Sequence, residues 1–116
     1  MDDQFKTLSM FEAKLGKDGV VKMLARHRVN AEETIAELSA MKNRNSIDLD
    51  SVRMSAHRLC GGSGSLGFKK ISGLFDKMCE AADLADNTEI IRLIGEVEKE
   101  NEQLRSAIKE RYPEIE

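Results

Sequence analysis

The sequence predicts an all-α protein: an antiparallel up-down-up-down four-helix bundle with a short additional N-terminal helix. Three observations carry that expectation. Apolar residues recur at three- and four-residue spacing along almost the whole chain, the period of one helix face. The 116 residues include one Pro, no Trp and only 4% aromatics, so the 41% apolar content is mainly Leu, Ile, Ala, Val and Met, which suits helices packed on helices. The interruptions between periodic stretches are short, and short connections make consecutive helices antiparallel neighbours.

Phe5, Leu8, Phe11 and Leu15 predict a short first helix ending near Gly16. Val20, Leu24, Ala31, Ile35 and Leu38 place a longer second helix that stops in "KNRNS". Asp48 is a suitable N-cap for a third helix, with Val52, Ala56, Leu59, Ser63 and Leu66 on one stripe. A fourth follows Gly67, its inner face formed by Ile71, Leu74, Phe75, Met78, Ala82 and Ala85. Asp86, followed three residues later by Glu89, reads as a capping box for the last helix. That helix runs on Ile90, Ile94, Val97, Leu104 and Ile108 with Asn101 as a polar interruption. Pro113 biases Tyr112 away from helix and sets a stop near Arg111. His27 falls on the stripe of Leu24, Ala31 and Ile35, so it is expected to be a partly buried core histidine. The methionines read as core and rim filler, and "EVEKENEQLR" as the solvated face of the last helix.

Composition removes several classes of function. A net charge of −3 gives no general attraction to nucleic acid, and no apolar run approaches the length that spans a bilayer. The opening "MDDQFK" lacks the order of a signal peptide. Two cysteines do not make a disulfide framework, so a reducing cytoplasm is the expected location. The length predicts a single domain over residues 1–116; Met1 suggests a free-standing protein.

One stretch, "AHRLCGGSGSLGFKK" from Ala56 to Lys70, holds four of the eight glycines and, just upstream of them, one of the two histidines. It is not a flexible linker, because the apolar stripe of the third helix continues through it. Gly62, Gly64 and Gly67 spell GxGxxG, but that motif needs a preceding strand, and a Walker loop needs Lys where Phe68 stands. On a helix, Gly61 lies about 40° and Gly64 about 20° from His57, whereas the apolar stripe centres roughly 140° away. His57 therefore points to solvent, with two glycines clearing the surface above it. Each Gly costs about 1 kcal/mol relative to Ala inside a helix, which makes sense where something large must approach His57. Neutral imidazole is a good nucleophile near pH 7, and Arg53, Arg58, Lys69 and Lys70 would favour a phosphoryl group beside it. No acidic cluster near it could hold Mg²⁺, so the chain offers an acceptor and a partner must bring the rest of the site.

These residues resemble the signature of histidine phosphotransfer (HPt) domains, approximately A-H-x-L-K-G-x-[SA]-x-x-[LI]-G. Ala56-His57-Arg58-Leu59-Cys60-Gly61-Gly62-Ser63-Gly64-Ser65-Leu66-Gly67 matches at all but one specified position. The resemblance implies a four-helix bundle whose His57 accepts phosphate, through Nε2, from a receiver aspartate and passes it to another receiver. The partners implied are receiver domains of a hybrid histidine kinase and of a response regulator, which supply the Asp and Mg²⁺. The chain itself would be a monomeric carrier, not an enzyme, with no cofactor of its own. Gly61 and Gly64 would provide clearance. The departure is Cys60, where the signature has a Lys thought to help stabilise the phosphoryl group; Arg53, Arg58 or Lys69 would have to compensate.

Three other readings remain open at this stage. One is the phosphorylatable domain of a chemotaxis-type kinase, and another is a helical adaptor whose glycine surface docks a partner without phosphate. The third is a redox or metal-binding bundle using His57, Cys60 and Cys79, although most often such cysteines are small apolar fillers.

Overall fold

The computed structural model describes residues 4–115, all of whose regular structure is helical. Four helices follow one another: α1 (Lys6–Arg44), α2 (Leu49–Ser65), α3 (Lys69–Asp83) and α4 (Asn87–Arg111). α1 packs on α2 and α4, and α3 packs on α2 and α4, which closes a four-membered bundle. The stretch read from sequence as a short first helix ending near Gly16 is helical from Lys6 and breaks from helical geometry at Gly16, so α1 is two helical segments joined across a kink. A straight helix of 39 residues would run about 58 Å, yet the longest dimension is 42 Å. The chain bends at Gly16, whose φ of 77° and ψ of 168° leave the helical region. The bend takes the N-terminal segment out of line with the rest of α1. Leu8 still reaches the core, but Leu15 beside the break is 57% exposed instead of inward.

The apolar stripes meet in one core, from Val20, Leu24 and Leu38 of α1 to Val52 and Leu59 of α2, Phe75 and Met78 of α3, and Ile90, Ile94 and Val97 of α4. Tyr112, buried after the last helix, donates its hydroxyl to Glu12 Oε1 at 3.1 Å. With the Lys17–Glu114 pair at 2.7 Å it ties the end of α4 to the start of α1.

The helix ends follow the sequence signals with two differences. Asp48 Oδ1 accepts from Ser51 N and Asp86 Oδ1 from Glu89 N, so both N-caps form. Glu89, however, does not reach back to close the capping box; its carboxylate pairs with Arg92. The other difference is Ala85, expected on the inner face of the fourth helix. It lies beyond α3 at φ +53°, exposed, and Asp86 N donates past it to Ala81 O. This is a Schellman closure, the geometry that usually takes Gly. α1 closes the same way at Asn45, and α2 at Gly67.

Candidate functional site

α2 carries the glycine cluster as continuous helix through Ser65, so the helical placement of these residues holds. Val52, Ala56, Leu59 and Ser63 are at most 2% exposed, and they fix which side of α2 faces inward. Polar contacts pin both flanks. Toward α1, Ser63 Oγ lies 2.9 Å from His27 Nε2, and Arg58 donates from Nη2 to the buried Thr34 Oγ1 at 2.9 Å. Toward α3, Ser72 Oγ donates to Cys60 O at 2.8 Å, and Arg53 Nε donates to Asp83 at 2.7 Å. α2 is thereby clamped along both edges, and His57 is exposed on the remaining face.

The glycines around it have different jobs. A Cβ built at Gly61 meets nothing within 4 Å, so the surface beside His57 is open there; Gly62 is equally open, but about 140° around the helix. At Gly64 it would come 3.1 Å from Ser72 Oγ, which makes this glycine a close-approach point between α2 and α3 as well. Gly67 is needed twice, for its φ of 87° and because a Cβ would lie 2.6 Å from Thr7 Oγ1.

The four cations named from sequence are not gathered as a basic frame. Arg53 is bound by Asp83 and, at 3.1 Å, by Asp50. Arg58 is drawn to Thr34, and Lys70 pairs with Glu100 at 3.1 Å. Only Lys69 of the four is exposed with no ion pair or hydrogen bond among the described residues. The physical reason is proximity: each of the others finds an acceptor within the bundle. Cys60 is half-buried, its sulfur 3.5 Å from Ser72 Oγ, and so lies at the seam with α3. Cys79 stands on the far side of that seam, with Sγ 3.8 Å from Arg53 O. Burial pushes its thiol pKa up, and nearby Cys60, Asp76 and Asp83 add to the effect, so thiolate chemistry is disfavoured. Both thiols are free, and among the described residues no group of three or more His, Cys, Asp or Glu side chains is placed to hold a metal ion.

His27 is buried, as its place on the apolar stripe predicts, and the edge of its ring meets Phe68 at 5.4 Å between centroids. Three residues that sequence reasoning passed over shape the site. Thr34 and Ser72 supply the hydrogen bonds that clamp α2; a Thr amid Ala31, Ile35 and Leu38 is the kind of polar break in a stripe that signals such a role. Met54, read as filler, is 72% exposed one turn before His57, and Met10 is likewise exposed, at 61%.

No helix among the described residues is long and apolar enough to cross a membrane. Residues 22–107 match the family model of the Hpt domain, a span that includes all of α2 and α3. The chain is 30% identical over 83 residues to histidine-containing phosphotransfer protein 1 of Oryza sativa subsp. japonica. That alignment covers 69% of this chain and 56% of the relative, so the chain matches little more than half of the rice protein's length. No solved structure matches with significance.

Proposed function

Because the chain belongs to the Hpt domain family, we propose that it is a phosphocarrier in a two-component phosphorelay, with His57 as the acceptor. In this reading Nε2 of His57 attacks the phosphorus of a receiver's aspartyl phosphate. The P–O bond to the aspartate breaks as the P–N bond forms, leaving the aspartate as a carboxylate. A second receiver reverses the step: its aspartate takes the phosphoryl group and the imidazole is released. The receiver brings the carboxylate and the Mg²⁺ that neutralises charge in transfer; no cofactor is assigned to this chain, and it does not catalyse the exchange alone. Gly61, and Gly64 beside it, leave room for the partner. In this reading residues 1–116 form one domain that works as a monomer in the cytoplasm.

The observation that carries this reading is the position of His57. It is exposed on a helix clamped along both edges, beside a glycine with nothing within 4 Å of where its side chain would be. A rigid scaffold presenting a nucleophile on a bare surface favours direct transfer from another protein. The test is a relay in two steps. Incubation with a ³²P-labelled receiver domain should label the wild-type chain, and a second receiver should then remove the label. His57→Gln should do neither while keeping its helical content, and transfer through that variant would refute the assignment.

A further inference from the structure

Of the four cations flanking the glycine stretch, Lys69 alone is exposed with no side-chain partner among the described residues. Arg53 and Arg58 are held by partners on α3 and α1. Ser65, two turns beyond the acceptor, donates its hydroxyl to Gly61 O of its own helix at 2.9 Å. Gly61 presents bare backbone. The largest group left is Met54, at 72% exposure one of five large apolar side chains exposed among the described residues. On α2 it lies about 60° around from His57 and about 4.5 Å along the axis, on the side of Gly61.

We propose that Met54 is the docking anchor for the receiver, and that the receiver presents an apolar recess next to its phosphoaspartate to take it. This rests on the phosphocarrier reading of His57. Direct transfer puts the partner's reacting aspartate at bonding distance from Nε2. A specific interface covers about 800 Å² on each partner, equivalent to a disc of roughly 16 Å radius. A side chain one turn from the reacting atom lies deep inside any such disc. Interface residues of that kind, central and well desolvated, carry most of the affinity. Methionine also suits a carrier that must meet two different receivers, since its unbranched thioether chain repacks against unlike surfaces. A contact of this kind depends on buried apolar area rather than on ion pairs, so it responds weakly to salt.

The test compares two routes to the same product. Phosphoramidate, a small phosphoryl donor, reports the chemistry of His57 without docking; a phosphorylated receiver domain that labels the wild-type chain reports chemistry plus docking. The ratio of receiver-driven to phosphoramidate-driven labelling should fall about tenfold in Met54→Ala, equivalent to about 1.4 kcal/mol. It should recover in Met54→Leu and stay at the wild-type value in Val29→Ala, an exposed apolar residue on α1. The wild-type KM for the receiver should change less than about twofold between about 50 and about 500 mM salt. An unchanged ratio in Met54→Ala, or a KM that climbs steeply with salt, overturns the anchor while leaving the carrier reading intact. Failure of both donors to label wild-type His57 overturns the carrier reading itself.

Discussion

Nε2 of His27 on α1 lies 2.9 Å from Oγ of Ser63 on α2, a buried pair 36 residues apart in sequence. It joins the helix that carries His57 to the longest helix of the bundle. Burial lowers the His27 pKa below its ordinary value, so the folded protein holds this imidazole neutral. The unfolded chain takes up the proton first as pH falls. Stability from this site is therefore complete above the ordinary imidazole range near 6.5 and declines as pH drops through it. Urea melts at about pH 7.5 and about pH 5.5 should show a loss at the lower pH that shrinks in His27→Gln. At neutral pH the same variant should be destabilised by about 1–3 kcal/mol, because Ser63 loses a buried partner.

Cys60 and Arg53 separate two ways of holding the phosphoryl group. Arg53 is engaged by Asp83 and Asp50, so Arg53→Ala should change the half-life of the isolated phosphoprotein by less than about twofold, a shift below about 0.5 kcal/mol. Cys60→Lys adds a cation one turn beyond His57 and should lengthen that half-life about three- to tenfold, less than a fully shielded charge-assisted bond would give. The gain should diminish between about 0.1 and about 1 M salt, as the screening length falls from about 10 to about 3 Å. A shortened half-life in Arg53→Ala would show that it leaves its carboxylates for the phosphate.

The three glycines of α2 should respond differently to alanine. Gly61→Ala and Gly62→Ala enter open space and should each stabilise the protein by up to about 1 kcal/mol in thermal or chemical melts. Gly64→Ala meets Ser72 Oγ at 3.1 Å, so part of that gain should be lost. Transfer should separate the first two: Gly61→Leu should slow receiver-driven labelling, whereas Gly62→Ala, about 140° around the helix from His57, should not. Equal rates for all variants would mean that the bare surface has no part in docking.

Ala85 is a non-glycine residue at φ +53° in the turn between α3 and α4. Ala85→Gly should relieve that strain and raise stability by up to about 1 kcal/mol, measured as an increase in the denaturation midpoint with labelling rates unaltered.

Much of this arrangement is written locally in the sequence. The stripe of Val52, Ala56, Leu59 and Ser63 determines by angle alone that His57 faces outward, and Asp48 and Gly67 mark the ends of α2. The parts that were not legible depend on other helices. Arg53 finds Asp83 across 30 residues and Arg58 finds Thr34 across 24; spacing along one helix says nothing of such pairs, so both read as available cations. That Gly64 is also a close-approach point is not legible from α2 alone, because Ser72 belongs to α3. Ala85 continued the apolar period of its helix and carried no stop signal, yet the chain closes there in a geometry that Gly normally signals. Met54 reads as core or rim filler by residue type, although its angle places it about 60° from His57.

The most direct measurement of the central claim is the position of the phosphoryl group. The chain, labelled by a phosphorylated receiver domain, is digested at alkaline pH and the modified peptide is sequenced by mass spectrometry. The label should be acid-labile and alkali-stable and should sit on His57, in the segment "MSAHR" between the cleavage points after Arg53 and Arg58. A label on His27, an acid-stable label on a serine or threonine, or full labelling of His57→Gln would contradict the account.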